Sequence, residues 1–355
     1  MKNKIALISA VIAVGVLCSC AKGGEQSSAE PAAVSAVSTQ TAEPKEPELP
    51  LIEGFKGSTD KSGFKLAWKS CEGADGYEID VTFVKSGETQ KHFISNELTE
   101  YVITDRPSGE RAEFTLAAFK QQGSDKEYTA RSKTVTLTTM QDKCILGVMN
   151  ICQHSRPSLP TGCECTALAT VLKYYGFDVT KNEIADMYLE KQPFYEKKKD
   201  PKKKDSETQL YGADPDKVFP GDPEDINSYG CYSTPIANAA NRFLASQQSE
   251  LKAKAVDGKK LSYWYKYVNN GTPIIIWATD GLKKSEEGDS WLTEDGKEIT
   301  WLHNEHCLVL VGFDTEAGVV FCCDPLRRNT EPTRLSEKLF EKRYKEQGMH
   351  AVLIE

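Results

Sequence analysis

Between residues 50 and 140 apolar and polar positions alternate. Phe64, Leu66 and Trp68 are interleaved with Lys65, Ala67 and Lys69, and Tyr77, Ile79, Val81 and Phe83 with Glu78, Asp80 and Thr82. Tyr101 and Ile103, Phe114 and Leu116, and Val135 and Leu137 repeat the period. A period of two belongs to a strand with one buried face. Turn sequences such as Glu72-Gly-Ala-Asp-Gly76 and Pro107-Ser-Gly109 separate the runs. Short strands at this spacing predict an antiparallel β-sandwich.

From residue 141 to 355 the pattern changes. Residues 144–149 read as a strand leading to Gln153. Leu168, Val171, Leu172 and Tyr175 recur at i, i+3, i+4 and i+7, which predicts a helix with one apolar stripe. Pro160 and Gly162 resist helix before Cys163, and Gly176 is a natural stop. Thr180-Lys-Asn-Glu183 has the form of a capping box, opening a helix with Ile184, Met187 and Tyr188 inward. The lysine-rich residues 197–204 read as a solvated loop rather than a site for anionic polymers, because Asp200, Asp205 and Glu207 dilute the charge. Thr234-Pro235 suits a helix start, with Ile236, Ala239, Ala240, Phe243 and Leu244 inward. A further helix is expected near 262–268. Buried strands are expected at 273–277, 306–312, 319–323 and 351–354, with a helix over 336–347 turning Leu339, Phe340 and Tyr344 inward. Helices first and strands after describe an α+β domain.

The first 49 residues fit neither pattern. Met1-Lys-Asn-Lys4 is basic, and the run from Ile5 to Leu17 is nearly all apolar, too short to span a bilayer but right for a signal peptide. It ends Leu17-Cys18-Ser19-Cys20-Ala21, which resembles the bacterial lipoprotein signal. That resemblance implies cleavage after residue 19, lipid on Cys20, and a place on the outer face of the cell membrane, or in the outer membrane or periplasm of a Gram-negative host. Ordinary secretion is the plainer alternative. Residues 20–49 are rich in Ala, Ser, Glu, Pro and Thr and read as a disordered linker.

The chain of 355 residues carries a net charge of −8, so nothing global points to nucleic acid. There is no glycine-rich phosphate loop or dinucleotide fingerprint, and the sequence calls for no cofactor or metal. Of its 11 cysteines, nine remain after Cys18 and Cys20 are set aside, so at least one mature thiol is unpaired whatever disulfides form.

One of those cysteines is placed for chemistry. Cys163 falls in the first turn of its helix, where free N–H groups and the helix dipole favour an anion. Thiolate is such an anion and is the nucleophilic form. Acyl transfer further needs an imidazole, a group to orient it, and donors for an oxyanion. His306 precedes a buried strand and would take the thiol proton. Asp324, at the end of the next strand, would fix its tautomer. Gln153 and the Cys163 N–H would face the oxyanion. Cys163 as a small buried residue or disulfide partner, Cys165 as nucleophile, His303 as base, Asp324 as a mere turn residue, Gln153 as a strand-end donor, and a metal site from Cys152, His154, Cys163 and Cys165 are the competing readings.

Pro160-Thr-Gly-Cys-Glu-Cys-Thr-Ala-Leu168, Phe219-Pro-Gly-Asp-Pro223, Asn304-Glu-His306-Cys-Leu-Val-Leu-Val-Gly312 and Asp324-Pro325 together resemble the C-thirty-nine-like cysteine peptidases, papain-clan relatives of the double-glycine leader peptidases. The resemblance spans about 200 residues, in matching order. It implies a papain-like fold with Cys163, His306 and Asp324 catalytic and Gln153 at the oxyanion. Gln153 stands farther from the cysteine than in the leader peptidases, and their transporter domains are absent, so leader processing coupled to export is not implied. Leu66-Ala-Trp68, Gly73-Ala-Asp-Gly76-Tyr77-Glu-Ile79 and Phe114-Thr-Leu-Ala-Ala118 resemble a fibronectin type III domain, which implies a spacer or a module for a cell-wall or protein ligand.

The expectation is therefore a multidomain chain: signal peptide 1–19, linker 20–49, fibronectin-like sandwich 50–140 and papain-like α+β domain 141–355. Its function would be a lipid-anchored cysteine hydrolase of peptide, peptidoglycan-type or other amide bonds. The alternatives are an inactive papain-like binding module and a cell-surface adhesion protein.

Overall fold

The computed structural model describes residues 49–199, 202 and 207–355. The signal peptide, Cys20 and nearly all of the linker lie outside the described residues.

The alternating segment forms two antiparallel sheets. Lys56–Thr59, Phe64–Ala67 and Glu100–Ile103 make one. Thr89–Ser95, Gly76–Phe83, Arg111–Gln122 and Asp125–Tyr128 make the other, with Val135–Thr138 also paired to Arg111–Gln122. The expected inward residues meet between them: Phe64, Leu66, Trp68, Tyr77, Ile79, Val81, Phe83, Phe114 and Leu116 belong to one buried cluster. Phe64 and Phe114 cross the gap edge to face, with ring centroids 5.1 Å apart.

The second part is built around an antiparallel sheet. Its order is Ala253–Ala255, Ala351–Ile354, Ile274–Thr279, Glu305–Asp314, Val319–Cys323 and Thr333–Ser336, with Lys143–Ile145 paired to the far end of Glu305–Asp314. Both faces are covered, which is why these strands read as unbroken apolar runs. On one face Ile275, Trp277, Cys307, Val309 and Val352 pack with the helices Cys163–Tyr174 and Ser233–Ser246. On the other, Ile274, Ile276, Leu308, Leu310 and Leu353 pack with Trp264, Tyr265, Phe340 and Tyr344.

Several expectations are corrected. The capping box at Thr180 and Glu183 is present, but the helix after it is one short turn of Lys181–Glu183 running into a π-turn, Ile184–Tyr188. Met187 is 68% exposed there, because the wider turn rotates it off the core face. Leu339 is 38% exposed while Phe340 and Tyr344 fill the interior. The strand expected over 144–149 is only Lys143–Ile145. The lysine-rich stretch is not wholly loop: Tyr195–Lys198 pairs with Thr208–Tyr211, and this ribbon joins Glu286–Leu292 and Glu298–His303 in a second sheet. The described chain is thus mostly β, with strands between the helices as well as after them.

The turn after Tyr265–Asn269 ties the sandwich to the rest of the described chain. Asn269, 5% exposed, donates to the carbonyls of Thr138 at 2.8 Å and Thr139 at 3.3 Å and accepts from the Gln141 N–H at 3.0 Å. Asn270 accepts from the Thr138 N–H at 2.7 Å. Asn269→Ala leaves buried backbone groups unpaired and should cost roughly 1–3 kcal/mol. In denaturant, unfolding of the sandwich should then separate from that of the rest. A single transition unchanged in midpoint would show that this turn does not couple them.

Candidate active site

The helix Cys163–Tyr174 begins where expected, with Gly162 as its N-cap. No larger residue fits at Gly162: a Cβ there would lie 2.6 Å from Leu159 Cβ and 3.2 Å from Pro223 Cβ. Cys163, 7% exposed, contacts the neighbouring strand, its sulfur accepting from the Cys307 N–H at 3.5 Å. As the first helical residue its own N–H has no acceptor within the helix.

His306 and Asp324 come together through sheet register. Val309 pairs with Cys323, so residues 306 and 324 lie near each other at the same end of adjacent strands. The His306 Nε2 is 2.7 Å from Asp324 Oδ1, and both residues are buried. Asp324 also accepts from the Leu326 N–H at 2.9 Å and from Arg327 Nε at 3.3 Å. Burial raises the Asp324 carboxyl, but the hydrogen bond and charge of His306, the Leu326 N–H and Arg327 outweigh it and hold the group below its ordinary value. With Nε2 committed to Asp324, Nδ1 is the nitrogen left for the cleft.

Gln153 is 2% exposed and fixed by its backbone, donating to Pro325 O at 2.8 Å and accepting from the Leu159 N–H at 2.9 Å. Its Nε2 donates to Pro160 O at 2.9 Å, which uses one of two amide hydrogens. Its Oε1 is buried without a partner among the described residues. Cys163, His306 and Gln153 line one cleft of about 540 Å³, whose other walls include Tyr229, Asp289, Trp301 and Glu305. The structure thus gathers Cys163, His306 and Gln153 around the cleft, with Asp324 bonded behind His306.

The competing residues are placed elsewhere. Cys165 is fully buried and does not line the cleft. His303 lines it but is exposed at the end of Glu298–His303, packed where Gly288 leaves room for its ring. Among the described residues, the cluster of metal-ligating side-chain types is Cys163, Glu164 and Glu305, with donor atoms within 4.8 Å of one another, and Cys152, His154 and Cys165 are outside it. The nine cysteines from Cys71 onward are free thiols.

Two carboxylates and two aromatic walls escaped the sequence reading. Glu164 is fully buried and accepts from the Cys163 thiol at 3.3 Å and the Cys231 N–H at 2.6 Å. The Cys231 loop is held there by its carbonyl, which accepts from Trp277 Nε1 at 2.9 Å. A glutamate in a first helical turn looks ordinary in sequence, since the dipole favours it on any surface helix. Tyr229 and Trp301 come from a loop and a strand with no legible period.

The environment of the thiol differs from expectation. Burial pushes the Cys163 thiol well above its ordinary value, and Glu164, Glu305 and Cys307 add to the rise against the Cys307 N–H. Desolvation and neighbouring carboxylates therefore dominate over the helix terminus. Burial likewise pushes the Glu164 carboxyl up to about 7, against its hydrogen bonds and His306.

The chain resembles known proteins over this region. The model of the Peptidase_C39 like family matches residues 145–352. The Bacillus subtilis protein YvpB, itself described as uncharacterized, is 32% identical over 205 residues, covering 57% of this chain and 72% of YvpB. A Bacillus anthracis crystal structure described as C39-like shares 28% identity at a TM-score of 0.49, covering 61% of this chain and 98% of that one. A fibronectin domain, FN5 of Drosophila Lar, shares 18% identity at a TM-score of 0.21, covering 25% of this chain and 95% of that one. The chain belongs to the Peptidase_C39 like family.

Gly230 limits how closely the site can be assembled. A Cβ there would lie 2.5 Å from Glu164 Oε1, 2.9 Å from Glu305 Oε2 and 3.2 Å from Trp301 Cη2. Gly230→Ala should lower stability by roughly 1–3 kcal/mol through overpacking and change the rate at which Cys163 is alkylated. Wild-type melting and alkylation would show that the cleft wall yields freely.

Proposed function

We propose that the protein is a cysteine peptidase-like hydrolase that cleaves peptide or other amide bonds through a thioester. The observation that carries this reading is the 2.7 Å bond between His306 and Asp324 beside a cleft that also holds Cys163 and Gln153. In the forward step His306 Nδ1 takes the thiol proton and the sulfur bonds to the carbonyl carbon. The oxyanion so formed is met by the Cys163 N–H and the second Gln153 amide hydrogen. The C–N bond then breaks, and His306 returns its proton to the leaving amine. Water, deprotonated by His306, releases the acid and restores the thiol. Asp324 orients the ring and offsets its positive charge throughout.

The raised thiol favours one rival reading, a papain-like binding module that retains the fold without turnover. Alkylation separates the two. Iodoacetamide, mapped by mass spectrometry against time, should label Cys163 at a rate that depends on His306, whereas the labelling of Cys71 and Cys144 should not. His306→Ala should slow that labelling, and Cys163→Ala should abolish hydrolysis of any amide substrate. Labelling of Cys163 indifferent to His306→Ala would favour the binding module.

The reading extends to location. The signal-like start and Cys20 support a lipid anchor that holds the folded part outside the cell membrane, where peptide or peptidoglycan-type amides are available. The two-sheet sandwich would serve as a fibronectin-like spacer or as a cell-wall or protein-binding module. Cys20→Ser should release the protein from the membrane fraction and remove lipid from its N-terminus. Retention of the Cys20→Ser protein in the membrane after signal cleavage would count against lipidation.

A further inference from the structure

The acyl-transfer steps leave unused one buried carboxylate and one half-buried carboxylate. Glu164 follows Cys163 on the helix, and Glu305 precedes His306 on the strand. Both turn into the space above Gly230, where a methyl group would meet an oxygen of each. The Cys163 sulfur and one oxygen from each carboxylate lie within 4.8 Å of one another. Each carboxylate thus adjoins a catalytic residue in sequence and the sulfur in space.

Their partners differ. Glu164 accepts from both the Cys163 thiol and the Cys231 N–H. Glu305 Oε1 is buried and has no hydrogen-bond partner among the described residues. The groups facing the pair are Cys163 and Cys165 from the helix, His306 and Cys307 from the strand, Cys231 and Tyr232 from the loop before Ser233–Ser246, and the Trp301 ring. Of these His306 alone can carry positive charge, and it is bonded to Asp324. No lysine or arginine charge is prominent at either carboxylate among the described residues. Two carboxylates so close do not both ionise readily near neutral pH. Glu164, with two donors, ionises first, at about pH 7, and Glu305 keeps its proton beyond that. Burial and the charge of Glu164 accordingly hold the Glu305 carboxyl well above its ordinary range.

We propose that Glu164 and Glu305 are a proton-sharing pair of positioning residues that holds Cys163 as a thiol at rest and sets the pH at which it becomes nucleophilic. The inference rests on the reading of Cys163 as nucleophile. With one proton on the pair, the sulfur faces one negative charge, and Glu164 accepts its S–H. When the second proton leaves, the sulfur faces two. Each charge favours thiol over thiolate, so thiolate formation is displaced to higher pH. Proton transfer from Cys163 to His306 then works against Glu164 until the arriving substrate alters the balance at the sulfur.

The test is the pH dependence of Cys163 alkylation by iodoacetamide in the mature protein, in Glu164→Gln, Glu305→Gln and the double variant. Removing the Glu164 charge should lower the midpoint by roughly 1–3 pH units, the usual effect of a like charge at this range. Below the wild-type midpoint the rate should rise about tenfold per unit. Glu305→Gln should lower it by less, and the double variant, which leaves no charge at the pair, should lower it furthest. A packing role alone would change the melting temperature and leave the midpoint in place. Should Glu164→Gln fail to fold, Glu305→Gln, at the cleft edge, carries the test. Unmoved or raised midpoints in the folded variants overturn the pair. The two ideas fail separately: wild-type Cys163 labelling that is indifferent to His306→Ala counts against the hydrolase, whereas an unmoved midpoint counts against the pair alone.

Discussion

The helix that starts at Cys163 is buried on every side through Leu172, and the rest of the site follows from that. A helix with no solvent face must be enclosed by the sheet, by a second helix and by loops. Its axis and its first turn are then fixed by packing instead of by caps, and Gly162 supplies no side-chain hydrogen bond. Enclosure brings the Cys163 sulfur to the Cys307 N–H and pushes Glu164 into the interior. The sheet does the remaining work. Antiparallel register between Glu305–Asp314 and Val319–Cys323 sets His306 and Asp324 side by side without any long-range loop having to close on them.

The same enclosure creates the electrostatic tension at the site. A helix start favours thiolate by about 1 kcal/mol or less at an exposed position. Burial beside two carboxylates acts in the opposite direction and is the stronger effect here. The resting enzyme of this reading therefore holds a thiol that must be activated, rather than a preformed ion pair. That is also why Cys163 is difficult to judge from sequence. Its helical position is legible, but the groups that oppose ionisation come from Glu305 and the Cys231 loop, far away in the chain.

Much of the fold was legible where periodicity was strong. Strands buried on one face in the sandwich alternate, and those of the central sheet, buried on both, run as Ile274-Ile-Ile-Trp277 or Leu308-Val-Leu-Val311. The helix Ser233–Ser246 buries all five residues expected inward. The second sheet was not legible. Glu286–Leu292 reads Glu-Glu-Gly-Asp-Ser-Trp-Leu, mostly exposed, and is held by pairing and by Trp291, whose Nε1 donates to Ala213 O at 2.8 Å. One anchored tryptophan is enough to fix such a ribbon, and one residue makes no period. Met187 and Leu339 were misplaced because each lies beside a better-fitting neighbour at a helix edge. Of the site, Cys163, His306, Asp324 and Gln153 could be picked out by residue type and order, but Glu164 and Glu305 gained meaning only when their shared space became visible.

The central claim is that Cys163 and His306 act as one unit in the cleft. A peptidyl vinyl sulfone tests this most directly, since its addition needs a sulfur nucleophile and a nearby imidazolium to protonate the carbon next to the sulfone. The account predicts one adduct, on Cys163, formed in the wild-type protein and lost in His306→Ala with the fold intact. An adduct that forms equally in His306→Ala, or one that spreads over several thiols without preference, would contradict it.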